Sequence, residues 1–254
     1  MTTRRAAIVT GANRGIGLAI AEALAASGFD ILAADLAPTA SEALQSGVVR
    51  SNARLAYQPF DLGDLATHSG VIEAAAKEFA TIDCLVNNAG MASPVRGDLL
   101  ELTAENFDKV LDVNLRGTVF LTQSVARAML SAPAKPGRSI ITITSVSAEF
   151  ASPERPDYCV SKAGLSMWVK NLALRLAADD IGVFEVRPGI IRTDMTAAVT
   201  ERYDGLIEQG LVPSRRWGEA ADVGHAVATL AAGTLGFATG SILNVDGALS
   251  VRRL

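Results

Sequence analysis

The sequence predicts an α/β fold, a doubly wound parallel sheet with helices on both faces, and three observations predict it. Short β-branched or apolar runs alternate with segments of helical periodicity along nearly the whole chain. The first such run ends in a glycine-rich turn that opens a helix. No internal repeat, low-complexity tract or linker interrupts the 254 residues, so residues 1–254 read as one domain.

Taken in order, 6–10 (AAIVT) is a strand, followed by the turn GANRGIG and a helix over 16–27 with Ile20 and Leu24 inward and Gly28 closing it. A second strand, 30–34, ends at Asp35. A helical piece at 41–46 precedes a third strand, 54–60, which ends at Asp61. Residues 65–79 are helical, and 84–86 is a strand running into Asn87-Asn88-Ala89-Gly90. A long helix is expected over 107–130 and a buried strand over 138–144, then a helix over 161–178 with Leu165, Trp168, Val169, Leu172 and Leu176 at helical spacing. A sixth strand at 183–186 leads to Pro188-Gly189. A helix at 220–231 and a strand at 241–245 complete the chain. Such alternation implies right-handed crossovers.

Composition narrows the function. With 49% hydrophobic residues the chain is globular, and a net charge of −4 gives no support to nucleic-acid binding. The apolar run before Gly11 is too short for a signal or membrane segment, so a cytoplasmic protein is expected. Cys84 and Cys159 are too few for a disulfide framework and lack metal-ligand spacing. His68 and His225 read as surface or packed imidazoles, so no metal site is expected.

The glycines of the first turn, Gly11, Gly15 and Gly17, depart from the G-x-G-x-x-G spacing, but a strand lies before them, a helix after, and an acid about 20 residues on. That acid, Asp35, would accept the ribose hydroxyls of a dinucleotide and repel a 2′-phosphate, favouring NAD over NADP. Arg14 pulls the other way, or is a surface arginine near the diphosphate.

The chain is organised around Ser145 and the run Tyr158-Cys159-Val160-Ser161-Lys162. Ser145 follows a strand, and Pro153 and Pro156 mark the turn into the next helix. Tyr158 and Lys162 stand at i and i+4, on one face of the first helical turn. A tyrosine titrates near ~10, and a close cation lowers a pKa by about 1 to 3, which moves the phenol toward proton exchange at neutral pH. Taken alone, such a pair is a common helix-surface contact, and its weight comes from the residues around it.

TGANRGIG at 10–17, NNAG at 87–90, Asn114, Ser145, Tyr158 with Lys162, and Pro188-Gly189 with Thr193 together resemble the short-chain dehydrogenase/reductase family over nearly the whole chain. Within it, the sequence is similar to the branch of 3-oxoacyl-carrier-protein reductases, which also holds sugar, polyol and secondary-alcohol dehydrogenases. The resemblance implies a single Rossmann domain with a seven-stranded parallel sheet, usually a homotetramer (a homodimer being the other expectation), and a small-molecule substrate. It makes Tyr158 the proton donor and acceptor, Lys162 the holder of the nicotinamide ribose, Ser145 the residue that orients the substrate oxygen, and Asn114 the support of a proton-relaying water. Asn114 is otherwise a polar residue bonding backbone. The turn residues Gly11, Asn13, Arg14, Gly15, Ile16 and Gly17 would cradle the cofactor, with Asp35 and Leu36 at its ribose and Asp61 and Leu62 at its adenine. Asn88, Ala89 and Gly90 would lie along it, Asn87 tying strands together instead, and Pro188, Gly189, Ile191 and Thr193 would receive the carboxamide. Asp61 reads equally as the cap of the next helix.

Three loops, 91–97, 146–157 and 192–213, are expected to wall the substrate pocket. The middle one carries Glu149, Glu154, Arg155 and Asp157. Inward acids favour a hydroxylated substrate, and outward ones are solvated charges. Tyr203 and Met195 are lid candidates, or pack within a small helical hairpin. A carrier protein asks for a basic rim, yet the nearest basic cluster, Lys135 and Arg138, is small and 178–180 is acidic. A non-catalytic nucleotide-binding sensor on the same fold is the competing class, disfavoured because Ser145, Tyr158, Lys162 and Asn114 are all present.

Overall fold

The computed structural model describes residues 4–194, 196 and 200–252. Seven parallel strands form one sheet: β1 (Arg5–Thr10), β2 (Phe29–Asp35), β3 (Leu55–Pro59), β4 (Cys84–Asn87), β5 (Arg138–Ile143), β6 (Ile181–Pro188) and β7 (Ile242–Val245). Their spatial order is β3-β2-β1-β4-β5-β6-β7, so the winding reverses between β1 and β4, where doubly wound sheets open a ligand crevice. Register is set in the interior by pairs such as Ile8↔Leu32 and Ile8↔Leu85.

Side chains alternate across the sheet and build two cores. Ala7, Val9, Ile31, Ala33, Val86 and Ile141 face one side, against α1 (Gly15–Ala26), α2 (Glu42–Val49) and α8 (Ala220–Ala231). Ala6, Ile8, Leu32, Leu85 and Ile140 face the other, against α3 (His68–Glu78), α5 (Thr118–Ser131) and α6 (Pro156–Leu176). The inward residues expected of α1, Ile20 and Leu24, are fully buried. Leu165, Val169, Leu172 and Leu176 of α6 are buried too, with Trp168 packed beside them.

Three boundaries differ from the sequence reading. The helix expected over 107–130 begins earlier, as α4 (Ala104–Leu111) capped by Thr103, and passes through a π-helical stretch, Asp112–Gly117, before continuing as α5. Hydrophobic periodicity cannot register an extra residue inserted in a turn, and such wide turns recur at functional sites. Helix α6 starts five residues before its expected start, because Pro156 occupies its first position, where a missing N–H costs nothing. The helix expected over 65–79 begins as a short 3-10 turn at Leu65–Thr67, capped by Asp64 rather than Asp61.

Between β6 and α8, α7 (Thr200–Glu208) closes a small separate cluster of Ile207, Val212 and Trp217. Among the described residues no helix is long and apolar enough to cross a membrane, and no His/Cys/Asp/Glu group could hold a metal ion. His68 is packed, its Nε2 3.0 Å from the Leu62 carbonyl oxygen, and burial pushes the Cys84 thiol up to about 11.

Candidate active site

The C-terminal ends of β1, β2, β4, β5 and β6 deliver the candidate residues to one edge of the sheet. At the end of β1, Gly11 (φ +67°) and Gly15 (φ +55°) take left-handed backbone. A Cβ on Gly17 would lie 1.9 Å from the Gly11 carbonyl oxygen, so α1 can begin tucked under the turn only with glycine there. Arg14, the N-cap of this 12-residue helix, is extended and supplies no side-chain cap. The first-turn N–H groups of Gly15, Ile16 and Gly17 and the helix dipole therefore suit an anion such as a dinucleotide's diphosphate.

The turn is braced by Asn13 and Asp35. The Asn13 N–H donates to Asp35 Oδ2 at 3.0 Å, and the Ala37 N–H to Oδ1 at 3.1 Å. Asn13 Nδ2 donates to the Thr39 carbonyl and the Tyr57 hydroxyl, and its Oδ1 accepts from the Ser41 N–H. Burial and the Asp35 charge raise the Tyr57 pKa, so its hydroxyl stays protonated and donates to the Ala37 carbonyl at 2.7 Å. A carboxylate keeps lone pairs beyond these two bonds, so Asp35 can still accept from a ribose. Arg14 pairs with Asp194 at 3.7 Å, both side chains well exposed. Leu36 is exposed at the strand tip and Leu62 is buried.

Two expected cofactor contacts serve the fold as well. Asn88, like Asn87, is a strand tie: its N–H donates to Thr10 Oγ1 at 3.0 Å and its Nδ2 to the Thr10 and Gly11 carbonyls, while the Ala89 N–H also reaches Thr10 Oγ1. Asn87 bonds Thr122 and Thr142. Asp61 closes a turn by accepting from the Gly63 N–H at 2.8 Å. Across the cleft, Thr193 Cγ2 stands 3.7 Å from where a Gly15 Cβ would be, and its N–H donates to Thr196 Oγ1. The Gly189 N–H bonds the Val245 carbonyl, and buried Ile191 bridges to Gly218.

Beyond β5, Ser145 has an extended backbone and accepts the Ser147 N–H on its Oγ at 3.1 Å. Tyr158 is the third residue of α6, and Lys162 one turn on puts Nζ 5.6 Å from the Tyr158 ring centroid and donates to the Ile143 carbonyl at 3.1 Å. Asn114, buried in the π-helical stretch, spends its side chain on the Met91 peptide (Oδ1 from the N–H at 2.7 Å, Nδ2 to the carbonyl at 2.9 Å) and on Ser161 Oγ. The backbone-bonding reading of Asn114 thus describes its side chain. It nevertheless stands beside Lys162: a Cβ on Gly90 would sit 3.0 Å from Asn114 Oδ1 and 3.8 Å from Lys162 Nζ.

The two glutamates of the middle loop are both ion-paired. Glu149 ion-pairs with Arg187, which holds its carboxyl below the usual carboxylate range. Arg187 in turn bonds buried Glu185 and Ser166, and Glu185 accepts from Thr144, the neighbour of Ser145. This network was not read from the sequence; opposite charges at i and i+2 inside the apolar strand VFEVRP were its signal. Glu154 pairs with Arg202 of α7 at 3.2 Å, and its carbonyl accepts the Gly97 N–H, so the three expected pocket loops meet at this residue. Tyr203 packs edge-on against Trp217, with ring centroids 6.0 Å apart, as the hairpin alternative expected; Met195 lies outside the described residues. Lys135 pairs with Asp83, and Arg138 is buried at the start of β5, so that basic cluster lies at the sheet edge opposite the site.

Comparison with known proteins shows the family and the fold. A family model described as enoyl-(acyl carrier protein) reductase matches residues 11–250. The 3-oxoacyl-[acyl-carrier-protein] reductase FabG of Haemophilus influenzae is 36% identical over 245 residues, 96% of this chain and 97% of that protein. The crystal structure of a 3-oxoacyl-[acyl-carrier protein] reductase from Brucella melitensis in complex with NAD superposes with a TM-score of 0.96 at 56% identity, covering 100% of both chains. An Agrobacterium tumefaciens protein proposed to be a 2-deoxy-d-gluconate 3-dehydrogenase, with bound NADP, reaches a TM-score of 0.85 at 32% identity, over 98% of this chain and 97% of its own. The chain belongs to the short-chain dehydrogenase/reductase family.

Proposed function

We propose that this protein interconverts a ketone and a secondary alcohol by hydride transfer, as a single dinucleotide-binding and catalytic domain with Tyr158 as general acid and base. The observation that carries the reading is the grouping of Ser145, Tyr158 and Lys162 where β5 meets α6, beside Asn114 and the cleft of the glycine turn. A bound nicotinamide dinucleotide supplies the hydride chemistry. The glycine turn and the first N–H groups of α1 hold its diphosphate, and Asp35, Leu36, Asp61 and Leu62 line its adenosine end. Asn88, Ala89, Gly90, Pro188, Gly189, Ile191 and Thr193 flank the rest. In the reducing direction the Tyr158 hydroxyl gives its proton to the substrate oxygen, and in the oxidising direction it takes one back. Ser145 Oγ orients that oxygen, Lys162 holds the ribose beside the phenol, and the Asn114 turn keeps a path for protons from Lys162 to water.

NAD is the proposed cofactor, with NADP second. Asp35 at the tip of β2 disfavours a 2′-phosphate, and the 56% identical Brucella protein binds NAD. The substrate is a 3-oxoacyl compound, in keeping with the relatives' names, or a sugar or polyol, as the gluconate-type relative suggests. The enzyme works in the cytoplasm as a homotetramer or homodimer. Nicotinamide absorbance tests the reading: NADH against 3-oxoacyl thioesters and simple ketones, and NAD against sugars and polyols, each repeated with the phosphorylated cofactor. Turnover with NAD(H) in one panel is expected. No turnover in either panel together with no binding of either reduced cofactor contradicts the reading, and preference for NADP(H) shows that Arg14 outweighs Asp35.

A further inference from the structure

Of the four charged side chains between the end of β5 and Tyr158, three have committed partners. Glu149 is paired with Arg187 and Glu154 with Arg202, while fully buried Asp157 accepts from Ser93 Oγ and from the Tyr158 N–H. Arg155 is the exception. It is partly buried, and its guanidinium lies over the Tyr158 ring, with Cζ 5.0 Å from the centroid. Its Nη2 donates to Ser147 Oγ at 3.2 Å and its Nε to Ser152 Oγ at 3.3 Å, both neutral hydroxyls. Ser147 is the residue whose N–H caps Ser145 Oγ, so Arg155 is one hydrogen bond removed from Ser145 and in contact with Tyr158. Among the described residues Arg155 has no carboxylate partner.

A half-buried guanidinium without a counter-charge is costly, and its planar fork suits a carboxylate above other acceptors. We infer that Arg155 binds the carboxylate of the substrate, and that the substrate is a small free oxo or hydroxy acid. Its charged end sits a few bonds from the carbon that reacts at Tyr158. The inference rests on the oxidoreductase reading above and narrows it. Position on the catalytic ring decides between anion sources: a carboxylate two bonds from a 3-oxo group falls within reach of Arg155, whereas the phosphate of a carrier arm lies at the far end of a long chain. A thioester, being neutral at that carbon, leaves the guanidinium uncompensated.

The test pairs 3-oxobutanoate with its neutral isostere 3-oxobutanamide, using wild type, Arg155→Met and Arg155→Lys with NADH and with NADPH. Binding of the reduced cofactor is followed by its fluorescence on the same preparations. Wild type is expected to favour the carboxylate in kcat/KM by about 10- to 100-fold, mostly through KM. Arg155→Met brings the ratio toward one, and Arg155→Lys recovers part of it. A wild-type ratio near one, including turnover of neither probe, overturns the inference. So does a ratio unchanged in Arg155→Met while both rates fall, since Arg155 then only braces the loop. Cofactor binding that persists in those cases leaves the oxidoreductase reading standing; absence of cofactor binding removes both.

Discussion

Arg187 shows how one residue far from any reacting atom can govern the site. It is buried at the end of β6, ties Glu185 and Ser166 together, and reaches out to Glu149 in the loop behind Ser145. Removing it leaves Glu185, fully buried, without its cation. Arg187→Met is therefore expected to cost about 3–5 kcal/mol, read from denaturant midpoints, and a cost under 1 kcal/mol would contradict that role for Arg187. The same variant alters the acid limb of stability. Because Arg187 lowers the Glu149 pKa, that pairing stabilises the fold above the normal carboxylate range and is lost as pH falls through the depressed value. The acid limb of Arg187→Met is expected to flatten relative to wild type.

At the scale of elements, strands and glycine turns were legible because their signals are local. Thr10 through Gly17 is a strand end, a left-handed turn and a helix start, each specified by its own residues. The interruption of α4 and α5 at Asp112–Gly117 was not legible, since a π-helical turn preserves composition and shifts apolar phase by a single residue. That turn buries Asn114 against Met91 and Ser161, so an element boundary missed in the sequence is also what positions a site residue. The start of α6 lies five residues earlier than expected because Pro156, assigned to the turn before the helix, is its first residue. Long-range partners were the least legible. The roles of Asn13, Asn88 and Asp35 as braces between β1, β2 and β4 depend on register across the sheet, which no sequence window contains.

Among the large apolar side chains that the whole molecule leaves exposed, several lie on α5, α6 and next to β7. Phe120 on α5, Met167 and Leu174 on α6, and Phe237 just before β7 are exposed, Phe237 completely. These side chains lie on helices α5 and α6 and beside the β7 edge, and burying such patches between copies removes them from water. Sedimentation at micromolar concentration is expected to give a dimer or tetramer, and a monomer would contradict the proposed assembly. All the candidate groups gather at one edge of one sheet, so the central claim concerns that edge: Tyr158 exchanges the proton. The most direct test is Tyr158→Phe, which keeps the ring over which Arg155 and Lys162 lie and removes only the hydroxyl. Turnover of whichever substrate the wild type accepts is expected to fall by about 10²- to 10⁴-fold while NADH binding, followed by nicotinamide fluorescence, stays within about twofold. Turnover retained at the wild-type level would contradict the account.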